Sequence, residues 1–164
     1  MSLVDVILSR RSIRKYENKD VPNDVLNKIL EAGRQSPSAA NRQPYHFIVV
    51  TDDEIKKEMP GLVSIFIKNA PLVIVGCANP KALLTGKWAI VDTTIALENM
   101  VLAAWSLGVG SCWIGAFNEQ KIKDILQIPK SYKVVALLSL GYPAEDPKAR
   151  KKKEKSTLFS FNKF

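Results

Sequence analysis

The chain predicts one layered domain of mixed helices and strands, of the α+β or α/β class, and three observations carry that expectation. Its 164 residues suit a single domain that can bury a substantial core. Short β-branched runs alternate with segments of helical period, without an internal repeat. A hydrophobic content of 46% and a charged content of 24% match ordinary globular composition.

The elements follow in order. Val4, Ile7 and Leu8 predict a short amphipathic helix ending near Ser9. Val21-Pro22-Asn23-Asp24 opens a second, with Pro at an early position, Val25, Leu26, Ile29 and Leu30 on one face, and an end near Arg34. Phe47 to Thr51 reads as a strand, Asp53 to Met59 as a short helix and Pro71 to Cys77 as a second, buried strand. Pro60 to Asn69 gives no clear pattern. Trp88 to Leu107 predicts a central helix stopped by Gly108, followed by a strand over Val109 to Ile114. Asn118 caps a helix running to Leu126, and Tyr132 to Leu140 is the last strand before Gly141, Pro143 and Pro147. The central helix is apolar on nearly every side, through Ile90, Val91, Ile95, Leu97, Met100 and Val101, so it needs cover all round. In a domain this small a second subunit is a natural source of that cover.

The formal net charge is +8. Much of it is local: six cations against Glu154 alone fall between Lys148 and Lys155. No aromatic-interleaved strand or basic recognition helix accompanies them, so specific nucleic-acid binding is not expected. Asp5 breaks the apolar start, which argues against a signal peptide, and Asp92, Glu98 and Asn99 interrupt the one segment long enough to span a membrane. A cytoplasmic protein without membrane contact is expected. Cys77 and Cys112 lie in apolar runs and His46 is the sole histidine, so buried reduced thiols are expected and a metal site is not.

Two motifs carry chemistry. Arg10-Arg11-Ser12-Ile13-Arg14-Lys15-Tyr16 is a basic cluster with guanidinium forks suited to phosphate oxygens. Ser36-Pro37-Ser38-Ala39-Ala40-Asn41-Arg42-Gln43-Pro44 is a loop of hydroxyls and amides able to donate and accept. Alone, the first could be a solvated helix end and the second a common turn.

These two blocks, together with ENMVLAAWSLGVGSCWIGAF and SLGYPAEDPKARKKK in that order, resemble the short, single-domain form of the FMN-dependent nitroreductase family, over about residues 5 to 153. The resemblance implies an α+β three-layer α/β/α sandwich around a mainly antiparallel sheet. It also implies a homodimer with exchanged terminal segments and FMN sites between the subunits. Residues 1–164 would form one domain, with 144–164 a basic C-terminal extension wrapping the partner.

Matched position by position, Arg10, Arg11 and Ser12 correspond to phosphate and ribityl contacts, and Arg14 to the cation near the flavin N1 and C2 carbonyl. Pro37, Ser38, Asn41 and Gln43 correspond to the loop that reaches the flavin from the partner. Trp113, Ile114, Gly115 and Ala116 correspond to the segment whose backbone approaches the flavin N5 side. Arg150 and Lys152 match a basic pair that closes on the phosphate; Lys152 stands where many relatives carry a second Arg, keeping the charge without the fork. The implied reaction is hydride transfer from NADH or NADPH to FMN and then to an electron-poor small molecule such as a nitroaromatic or quinone, in ping-pong order and without an ionisable catalytic side chain. Phe66, Leu83, Leu84 and Phe117 are candidates for covering the flavin. An FMN-binding storage or regulatory module, and a basic polyanion-binding domain, are the competing readings.

Overall fold

A computed structural model describes residues 2–61 and 64–164. Four strands form one antiparallel sheet in the order β1-β2-β4-β3: β1 is Tyr45–Val50, β2 Leu72–Ala78, β3 Gly110–Ile114 and β4 Lys133–Gly141. Helices α1 (Leu3–Ser9), α2 (Asn23–Arg34) and α4 (Ala89–Ser106) join α3 (Asp53–Glu58), α5 (Glu119–Leu126) and α6 (Lys155–Leu158) around it.

Period-two alternation in the central strands explains the layering. Leu72 and Ile74 of β2, with Ala136, Leu138 and Leu140 of β4, face one core shared with Ile29 of α2 and Leu97, Met100 and Val101 of α4. Val73, Val75 and Cys77, with Val134 and Leu137, face a second core shared with Met59, Ile67 and Ile122, a register shift at Gly76/Cys77 placing Val134 on the face opposite Ala136. The expected three-layer α/β/α arrangement is therefore present, with every strand pair antiparallel.

Element boundaries differ from expectation by a residue or two. β1 starts earlier, at Tyr45, because Tyr45 pairs with Ala78 and stacks near Phe47. Trp88 lies in a 3₁₀ turn before α4 rather than in the helix. Leu107 ends α4, and Gly108 takes the left-handed φ of 77° that turns the chain into β3. Within the ambiguous stretch Pro60 to Asn69, Ile65–Asn69 forms a 3₁₀ turn, and residues 62 and 63 lie outside the described residues.

The chain covers only part of α4. Ala96, Leu97, Met100 and Val101 are buried, whereas Ile90, Val91 and Ile95 are exposed. Helix α1 buries Val6 alone and leaves Leu3 68% and Leu8 72% exposed. Beyond Glu145 regular structure is confined to the four residues of α6, and Leu158, Phe159, Phe161 and Phe164 stand in solvent. No described helix is long and apolar enough to cross a membrane.

Cys77 and Cys112 are free and buried, and burial raises both thiols, Cys77 to about 11. Neither is a ready nucleophile at neutral pH. His46, on β1, packs its ring edge-on to Tyr132, 6.5 Å between centroids, in keeping with a structural role.

Gly110 couples this scaffold to the basic cluster. A Cβ at Gly110 would lie 2.6 Å from Ile13 Cγ1 and 3.0 Å from Pro143 Cγ. Gly110→Ala is expected to cost about 1–3 kcal/mol by overpacking, read by urea denaturation, and to push the Ser12–Tyr16 strip off β3. An unchanged midpoint would show that Ile13 can move away freely.

Candidate functional site

Helix α1 begins with a reciprocal cap, in which Ser2 Oγ accepts the Asp5 N–H and the Asp5 carboxylate accepts the Ser2 N–H. At its other end Arg11 Nη1 donates to the carbonyls of Leu8, Ser9 and Arg10, at 3.1, 2.8 and 2.9 Å. Half of the helix-end reading thus holds: Arg11 closes the last turn of α1 with one nitrogen, leaving the rest of its fork for another partner.

From Ser12 the chain runs as a strip along the edge of the sheet. The Ile13 N–H donates to the Ser111 carbonyl at 2.9 Å, making a parallel bridge between Ser12 and Ser111 of β3. Ile13 is buried, and the Tyr16 hydroxyl reaches the Ile13 carbonyl at 2.6 Å and Ser139 Oγ at 2.7 Å. Burial pushes the Tyr16 phenol well above its ordinary value, so it remains a neutral donor. On the other side the Glu17 N–H meets the Tyr142 carbonyl and the Ala144 N–H meets the Lys15 carbonyl, both at 2.9 Å. Ile13 and Tyr16 point inward while Arg14 and Lys15 point out.

This places the cluster against the C-terminal segment. A pocket of about 420 Å³ is lined by Arg10, Arg11, Ser12 and Arg14 on one side and by Lys148, Arg150 and Lys152 on the other, with Ile7 and Leu8 as its apolar wall. No carboxylate lines it among the described residues. Among the described residues, the side chains of Arg10, Arg14, Arg150 and Lys152 enter no ion pair. Six cations converging without an acid make an anion site, and guanidinium forks and ammonium groups are the donor set a phosphate monoester needs. Of these, Arg10, Arg11, Arg150 and Lys152 fit the phosphate end of FMN.

Pro37, Ser38, Asn41 and Gln43 do not line that pocket. Their loop folds as a 3₁₀ turn over Ala39–Asn41, with left-handed φ at Ala40 (49°), Asn41 (53°) and Gln43 (50°). Asn tolerates that conformation, but Ala and Gln are held there against a preference of about 1 kcal/mol or more. What holds them is visible. Ser38 Oγ accepts the Gln43 N–H at 3.0 Å, and Gln43 Nε2 donates to the carbonyl and Oδ1 of Asn41 at 3.0 and 3.2 Å.

The loop is fastened to α4 by two of the polar residues that interrupt that helix. Both carboxylate oxygens of buried Asp92 accept the Ala39 N–H at 3.2 Å. Asn99 Nδ2 donates to Ser36 Oγ at 2.7 Å, and Ser36 Oγ in turn reaches the Ala32 carbonyl. The third interruption, Glu98, accepts the Trp113 indole N–H at 3.0 Å. Asp92, Glu98 and Asn99 are therefore each a tether to a segment proposed for the site, a role that the sequence showed only as an argument against membrane insertion.

Ile114 gives its side chain to the second core and Trp113, half-buried, packs against the first, on the opposite face of the sheet. Gly115, just past β3, is exposed, and a Cβ there would meet nothing within 4 Å. That open backbone is compatible with a flat ring lying over it. Of the suggested covering residues, Phe66 and Phe117 pack against the second core, while Leu83 and Leu84 are 83% and 76% exposed. Besides Asp92 and Asn99, Lys148 and Glu145 escaped the sequence reading. In the sequence Lys148 counts only toward the local charge, and Glu145 acts through backbone groups that no side-chain pattern reveals.

Comparison with known proteins places the chain in a family. A sequence model described as the nitroreductase family matches residues 7–71 and 59–142. A Methanothermobacter thermautotrophicus protein assigned as an NADH dehydrogenase/NAD(P)H nitroreductase is 36% identical over 157 residues, covering 92% of this chain and 82% of its own. The FMN reductase [NAD(P)H] of Bacillus subtilis is 31% identical over 168 residues, covering 87% and 66%. The solved FMN-dependent nitroreductase of Clostridium difficile R20291 superposes with a TM-score of 0.88 at 34% identity, covering 98% of this chain and 99% of that one. With a family model spanning both the basic strip and the sheet that seats it, the chain belongs to the nitroreductase family and is an oxidoreductase with that family's fold.

Proposed function

We propose that the protein is an FMN-dependent oxidoreductase that takes hydride from NADH or NADPH and delivers it to an electron-poor small molecule, a nitroaromatic or a quinone. The observation that carries this reading is the acid-free pocket uniting Arg10, Arg14, Arg150 and Lys152. Bound FMN would supply the two-electron chemistry. The chain would supply grip and charge: Arg10, Arg11, Ser12, Arg150 and Lys152 would hold the phosphate and ribityl end, and Arg14 would serve the N1 and C2 carbonyl edge, where a cation favours the electron-rich form. Ser38, Asn41 and Gln43 offer amide and hydroxyl partners for a ring edge, presented by a loop held by its own hydrogen bonds and by Asp92. Gly115 leaves its backbone open. Neither thiol is poised to act at neutral pH, which suits a reaction whose bond-making resides in the cofactor.

The reading includes a homodimer. Exposed Leu3, Leu8, Ile90 and Val91 supply an apolar surface on α1 and α4, and an amide loop lying outside its own chain's basic pocket is explained if it completes the pocket of a second copy. The extension 144–164, with Leu158, Phe159 and Phe161 unpacked, wraps that second copy.

An anaerobic visible spectrum of the purified protein with FMN, before and after NADH and then NADPH, tests the proposal. Bleaching of the flavin bands and their return on adding a quinone or nitroaromatic is expected. A flavin that binds but stays yellow would replace the reductase with a binding module, and no bound flavin would overturn the reading.

A further inference from the structure

Glu145 sets a carboxylate against the basic strip, and among the described residues it makes no ion pair with a guanidinium or ammonium group. Its Oε1 accepts the backbone N–H of Arg14 and, at 3.1 Å, that of Lys15. In an extended strand consecutive N–H groups point to opposite sides, so their convergence on one oxygen marks a local turn of the backbone. That turn lies between two fixed points: Ile13, hydrogen-bonded to β3 through Ser111, and Tyr16, anchored on Ser139. Arg14 and Lys15 are thrown outward between them.

Glu145 also follows directly on Ala144, whose N–H bonds the Lys15 carbonyl, and precedes by two residues the Pro147–Lys152 stretch that forms the far wall of the basic pocket. The same side chain therefore turns the backbone under Arg14 and fixes the start of the segment carrying Arg150 and Lys152.

We infer that Glu145 is a positioning residue: by accepting two successive backbone N–H groups through a single oxygen, it aims the Arg14 guanidinium and registers the Arg150–Lys152 segment against it. This rests on the reading of Arg14 as the cation at the flavin edge. It also carries an opposing effect, because the carboxylate adds a negative charge near a site that must accommodate an electron-rich flavin. Acceptor and charge thus push the potential in opposite directions, and substitution separates them.

Since both hydrogen bonds go to Oε1, Glu145→Gln keeps an acceptor there and removes the charge, whereas Glu145→Ala removes both. Glu145→Asp keeps the charge but withdraws the oxygen by one methylene. The measurements are FMN affinity by fluorescence quenching and the anaerobic midpoint potential of bound FMN, with a thermal melt to confirm folding. Glu145→Ala should weaken FMN binding about tenfold. It should lower the midpoint potential by about 30 mV, the equivalent for a two-electron couple of a tenfold loss in preference for the reduced form. Glu145→Asp should move the same way, and Glu145→Gln should keep wild-type affinity with a potential equal to or above wild type. An alanine variant matching wild type in both measurements, or alanine and glutamine variants falling together, would overturn the inference. If Arg14→Ala itself changes neither affinity nor potential, the assignment of Arg14 fails, and the positioning role fails with it for that separate reason.

Discussion

Arg14→Ala is expected to raise the FMN dissociation constant by about ten- to a hundredfold, the loss of one charge-assisted hydrogen bond of roughly 1.5–3 kcal/mol. The midpoint potential of whatever flavin remains bound should fall. Arg14 is exposed, lines the basic pocket and enters no ion pair among the described residues, so its removal leaves the fold intact and takes away only its action on a ligand. Arg14→Lys should recover part of the affinity, since it keeps the charge and loses the planar fork. Titration of each variant with FMN, followed by anaerobic potentiometry, decides the matter. Wild-type values in the alanine variant would mean that the flavin edge lies elsewhere.

The second large effect is expected at Asp92. Its carboxylate is 4% exposed and receives the Ala39 N–H on both oxygens, directly before the three left-handed residues of the amide loop. Asp92→Ala removes both acceptors of that half-buried N–H, a cost of about 1–3 kcal/mol. It also frees Ala40 and Gln43 to relax from conformations they do not favour. The strand that follows is affected too: Tyr45 begins β1, and its phenol is raised first by burial and then by the charge of Asp92. Urea denaturation should show the stability loss, and FMN affinity should fall with it. Asp92→Asn keeps one accepting oxygen and should lie between. Stability lost without any change in FMN affinity would confine Asp92 to a structural role and separate the amide loop from the cofactor site.

Much of this molecule is legible in one dimension because the information is local. The helix over Asn23–Arg34 follows from the spacing of Val25, Leu26, Ile29 and Leu30, and the cap on α5 from Asn118, whose Oδ1 accepts the Lys121 N–H at 3.0 Å. The buried strands follow from β-branched runs, and the basic and amide motifs from their residue types. What failed at the edges failed for a reason outside the local pattern. Tyr45 joins β1 because Ala78 is there to pair with it, and Trp88 leaves α4 because the preceding segment forms a tight 3₁₀ turn.

The site divides along the same line. Arg10, Arg11, Ser12, Arg14, Arg150 and Lys152 could be named from the sequence, since charge and hydrogen-bonding capacity belong to the residue itself. That residues some 140 positions apart share one pocket, that Asp92, Glu98 and Asn99 are tethers, that Arg11 also closes a helix and that Glu145 grips two backbone N–H groups were decided only when the sheet closed. Composition and periodicity determine which groups a chain can offer and which faces it must bury; only long-range pairing of backbone and side chain decides which of those groups meet, because a hydrogen bond or a shared pocket depends on positions in space that no local pattern encodes.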